Sequence, residues 1–278
     1  MPLIEVDSLT KIYGSKNERY ARKGGDVGRK TGDVGRKTKT ALDGVGTNGG
    51  VGVALDDVTC TFETGKITAL IGVNGAGKST LLNILAMNLY KTSGSVKIDG
   101  EEITDDNMIR MKNRIGFVSE NAIFYGDMTV QELLENTLEF YGRKKLFSKI
   151  ATMCGIELVL CKKIKTLSKG YRQRLSFALA LSNESDILIL DEPMTALDPI
   201  QINEIRNLIL SLKKDRTIIF STHIMQEVNA LCDKIIILND GKILASGTES
   251  DILEKTKCSN LEDAFLTLTT ASKEGENG

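Results

Sequence analysis

The chain has 278 residues, with 36 Lys and Arg against 37 Asp and Glu, which gives a net charge of -1 at pH 7. This balance excludes a global basic field for nucleic acid, and the length favours one domain of about 200–250 residues with extra segments. The longest apolar run, at 177–181, is too short to span a membrane, and the N-terminus carries no secretory signal, so we expect a cytoplasmic chain.

Residues 15–53 differ from the rest of the chain. The heptapeptide GDVGRKT at 25–31 recurs at once at 32–38, and the stretch 16–39 holds nine basic residues and three acidic ones. Two polar copies are too few for a solenoid, so this segment is predicted to be a flexible low-complexity insertion. Its basic excess allows contact with phosphate or anionic lipid, although a solvated loop is the simpler interpretation.

Beyond Ala54, short apolar runs alternate with helical patterns. Strands are predicted at 55–62, 66–71, 115–118, 187–190, 217–220 and 235–238, and helices at 78–89, 129–141, 175–181 and 198–212. Thr129 and Glu132 form a capping-box pattern, and Asp198 followed by Pro199 is a helix start. Strands separated by such helices predict a largely parallel α/β sheet.

The segment from Gly72 to Ser79 reads GVNGAGKS, which fits the phosphate-loop pattern between a predicted strand and a predicted helix. In this pattern the backbone N–H groups and the helix N-terminus face the phosphates of a nucleotide. Lys78 is expected to reach the β- and γ-phosphates, and the Ser79 hydroxyl to ligate Mg²⁺. The predicted nucleotide contacts in this segment are Asn74, Gly75, Ala76, Gly77, Lys78, Ser79 and Thr80.

Polar residues follow two later strands. Asp191 and Glu192 directly follow the strand at 187–190. Open α/β sheets bind ligands at the carboxyl ends of their strands, which is where these two residues lie. Asp191 suits the Mg²⁺ shell and Glu192 can polarise an attacking water, although an acidic pair alone is more often a helix cap. His223, the only histidine, follows the strand at 217–220 and is predicted to contact the γ-phosphate. The five cysteines form no C-x-x-C pair, which argues against zinc and disulfide frameworks.

A further segment, 166–174, reads TLSKGYRQR and begins a helix at Ser168. Together with the phosphate loop, the acidic pair and the histidine in this order, it resembles the signature of ATP-binding cassette (ABC) ATPases. The resemblance covers 3–13 and about 54–266. It implies a P-loop NTPase core of largely parallel sheet, an antiparallel β subdomain and a helical signature subdomain within one domain over 1–266, followed by a polar tail at 267–278.

The resemblance also implies roles that spacing alone does not. Two subunits of such ATPases enclose two ATP molecules, so Ser168 and Gly170 are expected to touch the γ-phosphate held by the partner subunit. Tyr13 resembles the aromatic residue that stacks on adenine, with Tyr20 as a weaker alternative. The loop that ends at Asp198 resembles the one that joins the two sites.

Departures from the family pattern indicate a subfamily. The family's usual signature, Leu-Ser-Gly-Gly-Gln, is Leu-Ser-Lys-Gly-Tyr here, because Lys169 and Tyr171 replace its first glycine and its glutamine. A second glutamine, which the family usually has after the strand at 115–118, is replaced by Glu120, which can still ligate Mg²⁺ through oxygen. These variants resemble the ATPases of ABC-2 type exporters, including sodium-extrusion subunits.

We therefore predict a Mg²⁺-dependent ATPase subunit that forms a nucleotide-dependent dimer, with itself or with a second ATP-binding subunit, and drives a separate membrane permease from the cytoplasmic face. The permease is expected to contact residues 120–147, with Phe124, Tyr125, Met128 and Phe147 as candidates that could equally belong to the core. A soluble ABC ATPase acting on ribosomes or DNA is the alternative, although a single cassette without heptads or zinc motifs disfavours it. A catalytically weak scaffold is a further alternative, and no nucleic acid partner is expected.

Overall fold

The computed structural model describes residues 3–14 and 52–275, with side chains to residue 271. Most of the predicted insertion, including Tyr20, lies outside these residues, as do positions 276–278. Gly52 and Val53, assigned to the insertion from the sequence, are instead the first residues of a strand.

Ten strands form two sheets within the described part of the chain. The strands are β1 (Ile4–Tyr13), β2 (Gly52–Phe62), β3 (Ile67–Ile71), β4 (Ser93–Ile98), β5 (Glu101–Glu102), β6 (Ile115–Val118), β7 (Ile187–Asp191), β8 (Thr217–Thr222), β9 (Lys234–Asn239) and β10 (Lys242–Gly247). One sheet has the order β2-β1-β4-β5 and is antiparallel. The other has the order β10-β9-β3-β8-β7-β6 and is parallel except for β10. The predicted parallel core and antiparallel subdomain are confirmed.

The helices lie between these strands and at the end of the described chain. They are α1 (Lys78–Leu85), α2 (Met108–Lys112), α3 (Val130–Phe140), α4 (Phe147–Cys154), α5 (Lys169–Leu181), α6 (Pro199–Leu212), α7 (Met225–Leu231), α8 (Glu249–Thr256) and α9 (Leu261–Gly275). Helices α3, α4 and α5 contact one another and form the helical subdomain. No helix within 3–14 and 52–275 combines the length and apolarity that crossing a bilayer requires.

Local capping chemistry explains where the predicted helices begin. Thr129 Oγ1 accepts from the Glu132 N–H at 3.2 Å, and Glu132 Oε2 accepts from the Thr129 N–H at 2.7 Å, so the capping box is complete. Asp198 accepts from the Gln201 N–H at 2.9 Å, with Pro199 at the first helical position.

Two predicted boundaries, the end of one helix and the start of the C-terminal tail, differ from the structure. Helix α1 ends at Leu85 rather than at 89, because Met87 adopts a left-handed φ of 56°. The polar tail predicted from 267 instead lies largely in α9, where Phe265 and Leu268 pack against the core. Apolar residues on one face therefore continue this helix beyond the predicted boundary.

Apolar side chains fill both faces of the parallel sheet. One cluster joins this sheet and α1 to the antiparallel sheet, and the other joins it to the helical subdomain and to α6–α9. Strands β3 and β7 are buried at every position, as strands covered on both faces must be. The carboxyl ends of the parallel strands β3, β6, β7 and β8 therefore lie at one edge of this sheet, between the two apolar clusters that cover its faces.

Candidate functional site

Most of the predicted site residues line a cleft of about 640 Å³ at this edge. Strand β3 leads into the phosphate loop, β6 into Glu120, β7 into Glu192 and β8 into His223. The residues that line the cleft are Gly52, Val53, Ala54, Asn74, Gly75, Gly77, Lys78, Ser79, Thr80, Glu120, Glu192, Thr195 and His223. Parallel strand order explains the convergence, because parallel strands end at the same edge of a sheet.

Glycines give the phosphate loop its shape. Gly75 and Gly77 have φ values of 86° and 105°, in the region that favours glycine. The tip of the loop at 73–75 is exposed, while Ala76 and Gly77 are buried against the strands. The loop therefore presents backbone to the cleft while its base is held by the sheet.

Lys78 is the cation of this cleft. Its side chain is only 6% exposed, and its ammonium donates to the carbonyl oxygens of Gly72 and Val73 at 2.7 and 3.2 Å. The ammonium also lies 3.9 Å from Glu192 Oε1. Burial lowers the Lys78 pKa, and the nearby carboxylates oppose this effect. A buried ammonium with acceptors at the loop base is arranged to bind an anion.

Asp191 is buried beside α1 at the end of β7. Its Oδ1 accepts from the Ser79 hydroxyl at 3.0 Å and from the Ser221 hydroxyl at 2.7 Å. Burial raises the Asp191 pKa, and these two hydrogen bonds oppose the rise. The structure thus brings together two of the three predicted metal ligands, and the third, Glu120, lines the same cleft.

Glu192 and His223 form a polar pair in the cleft. The Nδ1 atom of His223 lies 2.9 Å from Glu192 Oε2, which also accepts from the Thr195 hydroxyl at 3.0 Å. Glu192 has a left-handed φ of 48°, and its N–H donates to the Ser221 hydroxyl at 2.9 Å. This backbone turn directs the carboxylate away from the strand and towards Lys78 and His223.

Tyr13 lies at the end of β1, where it pairs with Gly52 of β2. Its hydroxyl is 3.4 Å from Thr80 Oγ1 on α1, and Lys11 Nζ lies 5.0 Å from its ring centroid. Gly52 and Thr80 both line the cleft, so Tyr13 lies next to it without being one of its lining residues.

Five predicted nucleotide contacts are not among the residues that line this cleft. Tyr13 and Ala76 lie beside lining residues, whereas Ser168, Gly170 and Asp198 lie elsewhere. Ser168 accepts from the Tyr171 N–H at 3.4 Å as the N-cap of α5, and Gly170 is buried. A Cβ at position 170 would lie 2.6 Å from the Gln201 side chain of α6, so α5 and α6 meet closely there. Asp198 caps α6 at the surface. The position of Ser168, Gly170 and Asp198 outside the cleft agrees with the expectation that they contact the nucleotide of a second subunit.

The oxygen donors of the cleft fit magnesium. Hydroxyl and carboxylate oxygens of Ser79, Asp191 and Glu120 are hard ligands, and Mg²⁺ usually takes one or two carboxylates together with water and substrate phosphates. Within 3–14 and 52–275 no three His, Cys, Asp or Glu side chains form a self-sufficient metal cluster. A cation bound jointly by these oxygens and a triphosphate agrees with both observations.

Sequence reasoning missed Thr195, Ser221 and Glu227, which support the site through hydrogen bonds rather than through any motif. It also missed Ile123, which is 95% exposed beside Tyr125, itself 76% exposed. The other candidate permease contacts, Phe124, Met128 and Phe147, pack partly against the core. The apolar surface after β6 therefore centres on Ile123 and Tyr125.

Comparisons with known proteins agree with the geometry. Residues 55–195 match the family described as ABC transporter. The chain is 34% identical to the ABC transporter ATP-binding protein NatA of Bacillus subtilis, over 77% of this chain and 89% of NatA. It is 35% identical to the lantibiotic transport ATP-binding protein SrtF of Streptococcus pyogenes, over 76% of this chain and 89% of SrtF. A dimeric ATP-binding cassette in a post-hydrolysis state with ADP and Pi superposes with a TM-score of 0.69 and 25% identity, over 88% of this chain and 98% of that one.

Proposed function

The chain belongs to the ABC transporter family and is an ATP-hydrolysing subunit, and we propose that it drives export through a separate membrane permease. The observation that carries the ATPase function is the joint position of Lys78, Glu192 and His223 in one cleft, with Asp191 hydrogen-bonded to Ser79, which lines the same cleft. Export rests on the resemblance to ABC-2 type exporters, and the similarity to a lantibiotic transport protein supports it. No observation favours an ATPase that acts on ribosomes or DNA.

The chain's own residues then have definite tasks. Lys78 and the phosphate-loop N–H groups bind the β- and γ-phosphates, and Tyr13 stacks on the base. Ser79, Asp191 and Glu120 hold Mg²⁺, which supplies charge neutralisation on the phosphate oxygens. Tyr20, the other aromatic candidate, lies outside the described residues.

Glu192 and His223 act at the bond that breaks. The Glu192 carboxylate accepts a hydrogen bond from the attacking water, whose oxygen bonds to the γ-phosphorus as the bond to the bridging oxygen breaks. The electron pair of the broken bond leaves with ADP, and the water proton passes through the carboxylate to the phosphate that is released. His223 contacts the γ-phosphate and holds Glu192 through its Nδ1. The products are ADP and inorganic phosphate.

Completion of the site requires a second subunit. Ser168 and Gly170 at the start of α5 contact the γ-phosphate held by the partner, and Asp198 lies at the joint between the two sites. The dimeric form of the similar cassette supports this arrangement. ATP binding closes the dimer and hydrolysis reopens it, which moves the attached permease.

Mixed dimers test this arrangement. Lys78→Ala removes a phosphate contact and Ser168→Arg puts bulk and charge against the partner's nucleotide, so each homodimer has two defective sites. In the mixed dimer both lesions fall in one site and the other is intact, so mixing two inactive proteins should restore part of the ATPase activity. The exposed changes Lys145→Ala and Ser148→Arg are matched controls and should leave activity unchanged.

The result that contradicts the proposal is a mixture that contains heterodimers and recovers no activity, while Glu192→Gln shows no ATP-dependent dimerisation. Export is tested separately by co-expression with a candidate ABC permease. The chain should then sediment with membranes and resist moderate salt. Membrane binding without any permease would point instead to the basic stretch at 16–39 and to lipid.

The cassette is proposed to span 1–266 with the insertion as an accessory segment. The ends of the described chain on either side of the insertion meet as an antiparallel pair, Tyr13 with Gly52, and a short turn can close such a pair. Deletion of 21–50 should therefore leave ATPase activity within a few-fold. Loss of activity in a folded deletion variant would assign the insertion to the site.

A further inference from the structure

Ser221 touches both acidic residues of the hydrolytic site through one hydroxyl. It lies directly beside Asp191 in the register of β7 and β8, and it is fully buried. Its hydroxyl donates to Asp191 Oδ1 at 2.7 Å and accepts from the Glu192 N–H at 2.9 Å. The first bond fixes the rotation of the Asp191 carboxylate, and the second stabilises the left-handed turn at Glu192.

The next residue, Thr222, holds the loop that carries His223. Its hydroxyl is also buried, donates to Glu227 Oε2 at 2.5 Å and accepts from the Ile224 N–H at 3.1 Å. These hydrogen bonds constrain Thr222 and Ile224, the residues directly before and after His223. Glu227 is 3% exposed on α7, so the loop is tied to a helix in the core.

Ser221 and Thr222 are adjacent in β8 but bond to different partners, and the geometry of a strand explains this difference. Successive side chains point to opposite faces, so Ser221 reaches Asp191 and Thr222 reaches Glu227 of α7. Both hydroxyls have a donor and an acceptor partner, which buried hydroxyls need. An apolar pair could fill the same space, but it would leave the Glu192 and Ile224 N–H groups without these acceptors.

We propose that Ser221, Thr222 and Glu227 are positioning residues that set the geometry of the Glu192–His223 pair. The inference rests on the proposed roles of that pair in hydrolysis. Glu192 and His223 lie on separate loops, and their 2.9 Å contact depends on the relative placement of two strand ends. A displacement of about 1 Å in such a site can cost about 100-fold in rate.

The test uses the full chain and variants that remove one hydroxyl each. Ser221→Ala and Thr222→Val should lower kcat for ATP at least tenfold, with KM and nucleotide affinity within about threefold and Tm within a few degrees. Thr222→Ser and Glu227→Gln keep the hydroxyl and its acceptor, so they should retain most of kcat. Ser182→Ala and Thr68→Val are matched controls at buried positions outside the site and should leave kcat unchanged.

A second readout needs no turnover. The single histidine gives one imidazole NMR signal in tag-free protein labelled at histidine. Thr222→Val and Ser221→Ala should shift or broaden that signal in the nucleotide-free chain. Glu192→Ala, which removes the carboxylate that contacts Nδ1, is expected to do the same, whereas the Ser182 and Thr68 controls should not.

Three results would overturn the inference. One is a kcat within threefold of wild type in folded Ser221→Ala and Thr222→Val. Another is an unchanged imidazole signal in both. The third is a loss of kcat that parallels a loss of Tm and that Thr222→Ser does not restore, since this pattern indicates a purely structural role.

If Glu192→Gln hydrolyses ATP as fast as wild type, the proposed function itself fails. Should Ser221→Ala not fold, the Thr222→Val and Thr222→Ser pair decides.

Discussion

Gly75 and Gly77 are a matched pair for testing how the phosphate loop is held, because both have positive φ and only one is crowded. A Cβ at position 75 would meet no heavy atom within 4 Å. At position 77 it would lie 2.5 Å from the carbonyl oxygen of Ala54 and 2.9 Å from Leu55 Cδ2. Gly75→Ala therefore adds backbone strain alone, whereas Gly77→Ala adds strain and a collision with β2.

The expected magnitudes follow from these contacts. A left-handed φ costs an L-residue about 1–2 kcal/mol, and 1 kcal/mol lowers Tm by about 2–4 °C in a chain of about this size. Gly75→Ala should therefore lower Tm by about 2–8 °C. In Gly77→Ala the Ala54 oxygen must also move by about 0.8 Å to reach an ordinary C···O separation, and such overpacking costs about 1–3 kcal/mol more.

The assay is thermal and urea unfolding of nucleotide-free protein in EDTA, so that ligand binding does not contribute. Gly142→Ala is the control for strain away from the site, because φ there is 67° and a Cβ would meet nothing within 4 Å. Gly75→Ala and Gly142→Ala should behave alike, and Gly77→Ala should be clearly less stable than both. If Gly77→Ala is no less stable than Gly75→Ala, β2 does not support the loop in the way the contacts indicate.

Three further predictions concern caps and buried charge. Thr129→Ala should cost about 1 kcal/mol and lower Tm by a few degrees, with ATPase activity unchanged; an equal loss of activity would contradict the separation of cap and site. Hydrogen bonds from Thr129 lower the Glu132 pKa, so Glu132→Gln should destabilise the fold at pH 7. In urea unfolding, the difference in stability between wild type and Glu132→Gln should shrink as pH falls through that lowered pKa. Burial raises the Asp191 pKa, so the folded state holds that proton more tightly than the unfolded state and loses stability as pH rises above about 3.8. Asp191→Asn should therefore raise Tm of the nucleotide-free chain at pH 7 more than near pH 4 while abolishing hydrolysis, and a lower Tm at pH 7 would contradict this.

Local chemistry made much of the fold predictable. The short stretches of mainly apolar residues before Asp191 and before the phosphate loop are buried strands, because such stretches suit a strand covered on both faces. Thr129 and Asp198 begin their helices as predicted, since side-chain caps act within three residues. Such signals need no knowledge of distant parts of the chain.

Other features depend on long-range contacts that no local pattern contains. The end of α1 is set by the backbone at Met87, although apolar spacing continues beyond it. In the sequence Ser221 is one polar residue directly after the predicted strand at 217–220. Its role is visible only when β8 lies beside β7 and the hydroxyl contacts Asp191. Polar contacts between strands 30 residues apart are determined by register, which the sequence encodes only through the whole sheet.

The position of Tyr13 shows how a long insertion can leave a site intact. The chain leaves β1 at Tyr13 and re-enters at Gly52, and these two residues are register partners in one antiparallel pair. The pair is held by the rest of β1, which also pairs with β4, and by the contact of the Tyr13 hydroxyl with Thr80 on α1. The tyrosine is therefore placed by sheet pairing and by the phosphate-loop helix rather than by the residues that follow it. Because loop-closure entropy grows only slowly with loop length, the residues inserted between these partners add little to the cost of forming the pair.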